Sequence, residues 1–174
     1  SSLKRIMTRC PTSRLALFQL PLEQTFEEFA IDTPLRQAAF LAQIAHESGE
    51  LRYVQEIWGP TPTQLRYEGR RDLGNVYPGD GYRAMGRGLI QITGRANYEA
   101  CGEALDLDLL GSPELLEEPL HAARSAGWYW DWRGINIPAD VGDFERVTRL
   151  VNGGLNGFSD RIRYYERALE ELGA

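Results

Sequence analysis

Apolar residues recur at helical spacing over most of the chain, and Pro, Gly and cap-forming side chains mark the breaks. Residues 13 to 29 carry a helix-like pattern that Pro21 interrupts. Thr33-Pro34 opens the clearest helix: Thr33 can accept from the free N–H groups of a helix start, and Pro34 suits the first helical position. Leu35, Ala38, Ala39, Ala42 and Ala45 carry that helix on, and it stops near Gly49. Further along, Thr93 predicts the N-cap of a helix through Tyr98, and Ser112-Pro113 opens a short one. Pro119 opens another that ends by Gly134. Asp143 to Val151 is helical and is stopped by Asn152-Gly153-Gly154; Ser159 caps a last helix through Leu169. Between Trp58 and Gly94 the pattern changes to loop, and only Gly88 to Thr93 has a brief β-like apolar run. The pattern predicts a mainly α fold with little or no β-sheet.

The helix over residues 33–48 is apolar nearly all round, which marks a central, buried element. Arg36, Gln43 and Glu47 fall in one narrow stripe at i, i+7 and i+11, a stripe expected to face solvent or a wet cleft. Glu47 sits one turn from Phe40 and Ile44. An acid beside apolar groups loses solvation and its pKa rises, as a general acid near neutral pH requires. The alternative is a solvated Glu at a helix C-terminus. A second carboxylate, Glu56, follows nine positions later beside Val54, Ile57 and Trp58, with Glu50 and Glu68 as competitors for its role. Two carboxylates in one cleft, in different surroundings, can divide into acid and base.

Composition narrows the chemistry. A length of 174 residues predicts one domain, 1–174, or two small lobes sharing a cleft. Lys and Arg number 19 against 25 Asp and Glu, a net charge of −6 that argues against a nucleic-acid surface. The only histidines, His46 and His121, lie outside zinc-hydrolase spacing, and no apolar run approaches a membrane span. Cys10 and Cys101 are expected as buried or free thiols; pairing them needs a fold that brings them together. The opening Ser1-Ser2-Leu3-Lys4-Arg5 reads as a trimmed end, with no signal peptide.

The Gly-rich middle has the outer spacing of a phosphate loop at Gly81 to Gly86, but Arg87-Gly88 stands where Lys and Ser or Thr are needed. Its glycines instead suit close approach to an extended polymer. Arg87, Gln91 and Thr93 can line such a groove, the last two sharing one face of an extended run. Tyr53 and Trp58, near Glu56, suit stacking on a sugar ring. Asn152 can offer amide groups to an N-acetyl substituent, and Arg161 can orient a nearby carboxylate or line the cleft. Trp128, Tyr129, Trp130 and Trp132 are too closely spaced for one helix face and read mostly as core or lobe-interface residues.

Several motifs in order then resemble glycoside hydrolase family 19, most of all its compact phage and prophage endolysin branch. They are His46-Glu47-Ser48-Gly49, Tyr67-Glu68-Gly69-Arg70, Gly79-Asp80-Gly81, the run from Gly86 to Tyr98, and Asn152-Gly153-Gly154. The resemblance spans roughly residues 33 to 170. It implies a lysozyme-like, two-lobed helical fold and inverting cleavage of β-1,4 bonds beside N-acetylated sugars. In that frame Glu47 is the general acid, Glu56 the base, and Thr93 holds the attacking water. Gln91, Asn97 and Asn152 bind substrate, and no metal or organic cofactor is implied. Nine-residue spacing between the carboxylates and only two cysteines depart from the longer plant chitinases. They favour bacterial peptidoglycan over chitin, with a non-catalytic wall-binding module as a third reading. An endolysin made in the cytoplasm would reach the wall through a separate holin-type pore, as a monomer that does not insert stably in the membrane.

Overall fold

The structure is a computed structural model that describes residues 1–174. It holds ten α-helices: α1 (Ser2–Ile6), α2 (Thr12–Glu28), α3 (Pro34–Glu47), α4 (Pro62–Leu65), α5 (Asp80–Arg83), α6 (Arg95–Leu105), α7 (Pro119–Trp132), α8 (Asn136–Asp140), α9 (Phe144–Asn152) and α10 (Phe158–Leu172). Two 3-10 turns, Arg71–Leu73 and Pro113–Glu117, join them. There is no sheet, only isolated bridges pairing Arg87 with Gln55 and with Ile92. No helix is long and apolar enough to cross a membrane.

Helix α3 starts as its sequence dictates, with Thr33 accepting from the Arg36 N–H and Pro34 in the first turn. Ala38 to Ala45 are all buried, and α3 runs through the larger of two apolar cores. That core gathers side chains from α1, α2, α3, α7, α8, α9 and α10. The smaller core forms under α6 from Ala84, Ile92, Tyr98, Cys101, Leu105, Leu109, Leu116 and Trp128. Helix α7 serves both. Trp130 is fully buried in the larger core, edge-on to Phe40 at 5.2 Å, with its indole N–H on Asn136 Oδ1 (2.8 Å). Trp128 enters the smaller core, while Trp132 is exposed and stacks on it at 5.3 Å.

Four local expectations are corrected. Helix α2 runs through Pro21 unbroken. A proline inside a helix costs about 3 kcal/mol. Burying Leu15, Phe18 and Leu22 returns about 2 kcal/mol each, so packing wins. Thr93 does not cap α6: its hydroxyl donates to the Gln91 carbonyl (3.1 Å), Gly94 takes the cap position, and distant Asn75 accepts from the Arg95 N–H (2.8 Å). Ser159 does not cap α10, which begins at Phe158 after Gly157 turns the chain at φ +70°. The run from Gly88 to Thr93 is a tight turn, with Gln91 at φ +67°, closed by the paired Arg87 and Ile92 backbones (3.1 and 2.8 Å). The first residues are also part of the fold: Ser1 caps α1, and Leu3, Ile6 and Met7 are buried.

Candidate active site

Glu47 is the last residue of α3 and meets α10. There the buried Arg161 places Nη2 2.6 Å from Glu47 Oε1. The same guanidinium donates to Gln43 Oε1 (2.6 Å), the Asn156 carbonyl (3.0 Å) and Asn152 Oδ1 (3.4 Å). Gln43 in turn donates to Thr148 Oγ1 on α9 (3.0 Å). At the other end of the stripe, Arg36 grips both carboxylate oxygens of Asp140 (2.7 and 2.8 Å). The polar stripe of α3 therefore faces neighbouring helices, where solvent or a wet cleft was expected. Each of its groups finds a partner there, which offsets the cost of leaving water. Phe40 and Ile44 turn fully into the core, so a guanidinium is the neighbour of Glu47 where apolar groups were expected. Glu47 still shows 22% of its side chain to solvent.

Glu56 lies in the loop after α3, half-buried. Its Oε1 accepts from Gln64 Nε2 (2.7 Å) and Tyr67 Oη (3.4 Å), and its Oε2 from the Gly86 N–H. Gln64 is itself locked by a capping box with Thr61 at the start of α4. Gly86 is where the segment closes on itself. A Cβ there would stand 2.6 Å from Gln91 Oε1, 2.8 Å from Glu56 Oε2 and 3.2 Å from Thr93 Oγ1. Three of the expected site residues thus converge on one point, although the extended run proposed for them is a turn. Gln91 also donates to the Gly88 carbonyl (3.0 Å), and Asn97 to the Thr93 carbonyl (2.8 Å), fixing the turn from both sides. Trp58 stands in this group, edge-on to Tyr82 at 5.1 Å and tilted against Tyr67 at 6.3 Å.

Other expected residues lie elsewhere. Arg87 does not line a groove. It is buried, paired with Glu117 (2.9 Å) and bonded to the Arg83 carbonyl and Tyr98 Oη (2.6 and 3.1 Å), because a guanidinium with five donors can tie three segments together. Tyr53 lines a cavity with His46 and Gly49, with the Arg52 guanidinium over its ring at 5.1 Å. The rival carboxylates have other partners. Glu50 accepts from Arg9 N–H (2.8 Å), Arg9 Nε (3.3 Å) and Tyr164 Oη (2.6 Å), and Glu68 from the Gly79 and Gly81 N–H groups (2.9 and 2.8 Å). Burial opposes ionisation of Glu50, but these bonds outweigh it and hold its carboxyl below the usual range. The two thiols are free and sit in different cores, and burial pushes Cys101 up to about 12.

The residues that sequence reasoning missed are the holders: Gln43 for Arg161, Gln64 and Tyr67 for Glu56, and Asp160, whose Oδ2 pairs with His46 Nδ1 at 2.7 Å. Their local signals named no partner: Gln64 sits in the Thr61-x-x-Gln64 capping box before Leu65, Gln43 in the polar stripe of α3 and Tyr67 in the Tyr67-Glu68-Gly69-Arg70 motif.

Residues 25–141 match the family described as chitinase class I, glycoside hydrolase family 19. A glycosyl hydrolase family 19 domain-containing protein of Haemophilus influenzae is 36% identical over 163 residues, 78% of each chain. The basic endochitinase CHB4 of Brassica napus is 36% identical over 86% of this chain and 56% of its own, so the chain spans just over half the length of such plant relatives. In structure, chitinase C of Streptomyces griseus superimposes with a TM-score of 0.76 at 25% identity, over 99% of this chain and 75% of its own. A bacterial family 19 chitinase gives 0.74 at 26% identity, over 99% and 93%. The mainly helical, sheetless architecture is the lysozyme-like fold of these enzymes. The chain belongs to glycoside hydrolase family 19 and is a glycoside hydrolase.

Proposed function

We propose that this protein is an endolysin-type N-acetylmuramidase that hydrolyses β-1,4 bonds of peptidoglycan glycan strands with inversion. Glu47 protonates the leaving oxygen as the glycosidic bond breaks. Glu56 takes a proton from the water whose oxygen attacks the anomeric carbon from the opposite face. One observation carries the reading: two carboxylates, one at the end of α3 and one in the loop after it, are each held by their own donors, Glu47 by Arg161 and Glu56 by Gln64, Tyr67 and Gly86. Thr93 Oγ1 and Gln91 Oε1 gather beside Glu56, where a water needs acceptors and donors. Inversion asks for about 6.5–9.5 Å between the two carboxyl groups, to leave room for that water. Asn152 and Asn97 supply amide groups near the acid and base respectively, and Trp58 with Tyr82 offers an aromatic wall.

Peptidoglycan is favoured by the short connection between the carboxylates. In this reading a pore made by another protein admits the enzyme to the wall, where it acts as a monomer without a cofactor. Chitin is the second reading, favoured because the Brassica napus and Streptomyces griseus relatives are named chitinases. Purified protein assayed on cell walls and on chitin oligomers separates the two. Mass spectrometry of released muropeptides should find reducing N-acetylmuramic ends. Walls left intact while chitin oligomers are cut would overturn the peptidoglycan assignment. Glu47→Gln should keep fold and wall binding and lose lysis by about 10²–10⁴-fold; wild-type lysis would remove Glu47 as the acid.

A further inference from the structure

A cavity of about 720 Å³, lined by the chain neighbours of Glu47 and Arg161, takes no part in the chemistry above. Its wall includes His46, next to Glu47, and Asp160, next to Arg161. Two successive pairs, His46–Asp160 (2.7 Å) and Glu47–Arg161 (2.6 Å), thus join α3 to α10, the first facing the cavity and the second holding the acid. Three guanidinium groups, Arg9, Arg14 and Arg52, also line the wall. The acids there are already engaged: Glu50 by Arg9 and Tyr164, Asp160 by His46 and Arg163. Arg14 gives only its Nε, to the Leu51 carbonyl (2.8 Å), and rests on the Phe18 ring. Arg52 has no hydrogen bond and rests on Tyr53. In a chain of net charge −6, this cavity keeps two guanidinium forks without a carboxylate partner. Arg9 and Arg14 precede residue 25, where the family match begins.

We infer that this cavity is a subsite for the carboxylates of the peptidoglycan stem peptide, an inference that rests on the peptidoglycan reading. Planar guanidinium forks match carboxylate geometry, and Tyr53 offers a flat apolar wall beside them. The cavity begins at His46, the residue next to Glu47 in the chain. Chitin, an uncharged polymer of N-acetylglucosamine, has no group for it.

The test measures KM on native walls and on the same walls with their peptide carboxyls amidated. It compares wild type, Arg52→Ala and the double variant Arg14→Gln/Arg52→Ala. Wild type should favour native walls by about tenfold, the worth of one charge-assisted contact, and the preference should fall to about one in the double variant. Equal wild-type KM on both walls, or a preference that survives both substitutions, overturns the subsite and leaves the peptidoglycan assignment standing. Cleavage of chitin oligomers with neither wall preparation touched overturns the assignment and the subsite together. Arg52→Ala removes an exposed side chain with no hydrogen bond, so its KM ratio decides the matter even where Arg14→Gln disturbs folding.

Discussion

Gly86 shows how a single missing atom shapes the site. A methyl group at this position would press on Gln91 Oε1 and Glu56 Oε2 at 2.6 and 2.8 Å, inside normal contact. Gly86→Ala is expected to displace the Glu56 carboxylate and lower kcat by about 10²-fold, since misplacements near 1 Å cost that much. The denaturation midpoint, measured alongside, should move far less than the rate. Gly157 plays a similar part at the acid end: a Cβ there would stand 2.3 Å from His46 Cε1. The proposed site residues Glu47, Gln91 and Thr93 were legible in the sequence because they sit in dense, ordered motifs, while Glu56 was read only from its place after α3. Their holders were not, because Gln43, Tyr67 and Asp160 reach their partners across the fold. Arg87 misled for the same reason: a charged residue in a Gly-rich run reads as groove lining until Glu117 and Tyr98 are seen to enclose it.

At the scale of elements, the seam between α3, α9 and α10 carries Glu47, the proposed acid. Arg161 is buried with Glu47, Gln43, Asn152 and the Asn156 carbonyl around it. Gln43→Leu removes the 2.6 Å acceptor and leaves part of a buried charge unmatched. It should destabilise the protein by about 2 kcal/mol and reduce activity through the loosened Arg161. Urea unfolding and kcat, measured on the same preparation, check both. Helix α2 offers the opposite sign. Pro21→Ala restores a backbone N–H inside the helix and should stabilise it by about 1 kcal/mol, less than the full host–guest value because the surrounding backbone has adapted. A midpoint in urea that falls on this substitution would contradict the account. Helix starts were read correctly where the cap is local, as at Thr33 and Asp143, whose side chains accept from N–H groups three residues on. They were misread where a glycine turn or a distant Asn75 does the capping.

The whole molecule is two apolar cores joined through α7, with ion pairs tying its ends. Glu50 links the N-terminal segment to α10 through Arg9 and Tyr164. Asp160, although burial pushes the other way, is held below the usual carboxylate range by its bonds to His46 and Arg163. A carboxyl whose folded pKa is depressed adds stability above the unfolded value, near 4, and loses it as the pH falls through the lower folded value. Stability should therefore drop steeply below about pH 4, and Glu50→Gln should flatten that drop while lowering stability at neutral pH. Thermal midpoints across pH 2–7 for both proteins measure it, and a parallel pair of curves would remove Glu50 from the account. Cys101, with its thiol pushed up to about 12 by burial, should stay unmodified by thiol reagents until the protein unfolds.

Sequence alone determined the helical class, the central place of α3 and the family, and it supplied the residues proposed here for the chemistry. Helical periodicity, proline and the Thr33 cap act over a few positions, and the family motifs keep their order along the chain. Tertiary structure decided which way the polar stripe of α3 faces, how Glu56 is held and where the free guanidinium groups collect. Those outcomes depend on contacts between residues as far apart as Gln43 and Arg161 or Arg9 and Glu50. A buried polar group takes whichever partner the packing of helices brings to it, and no pattern local to either residue records that meeting.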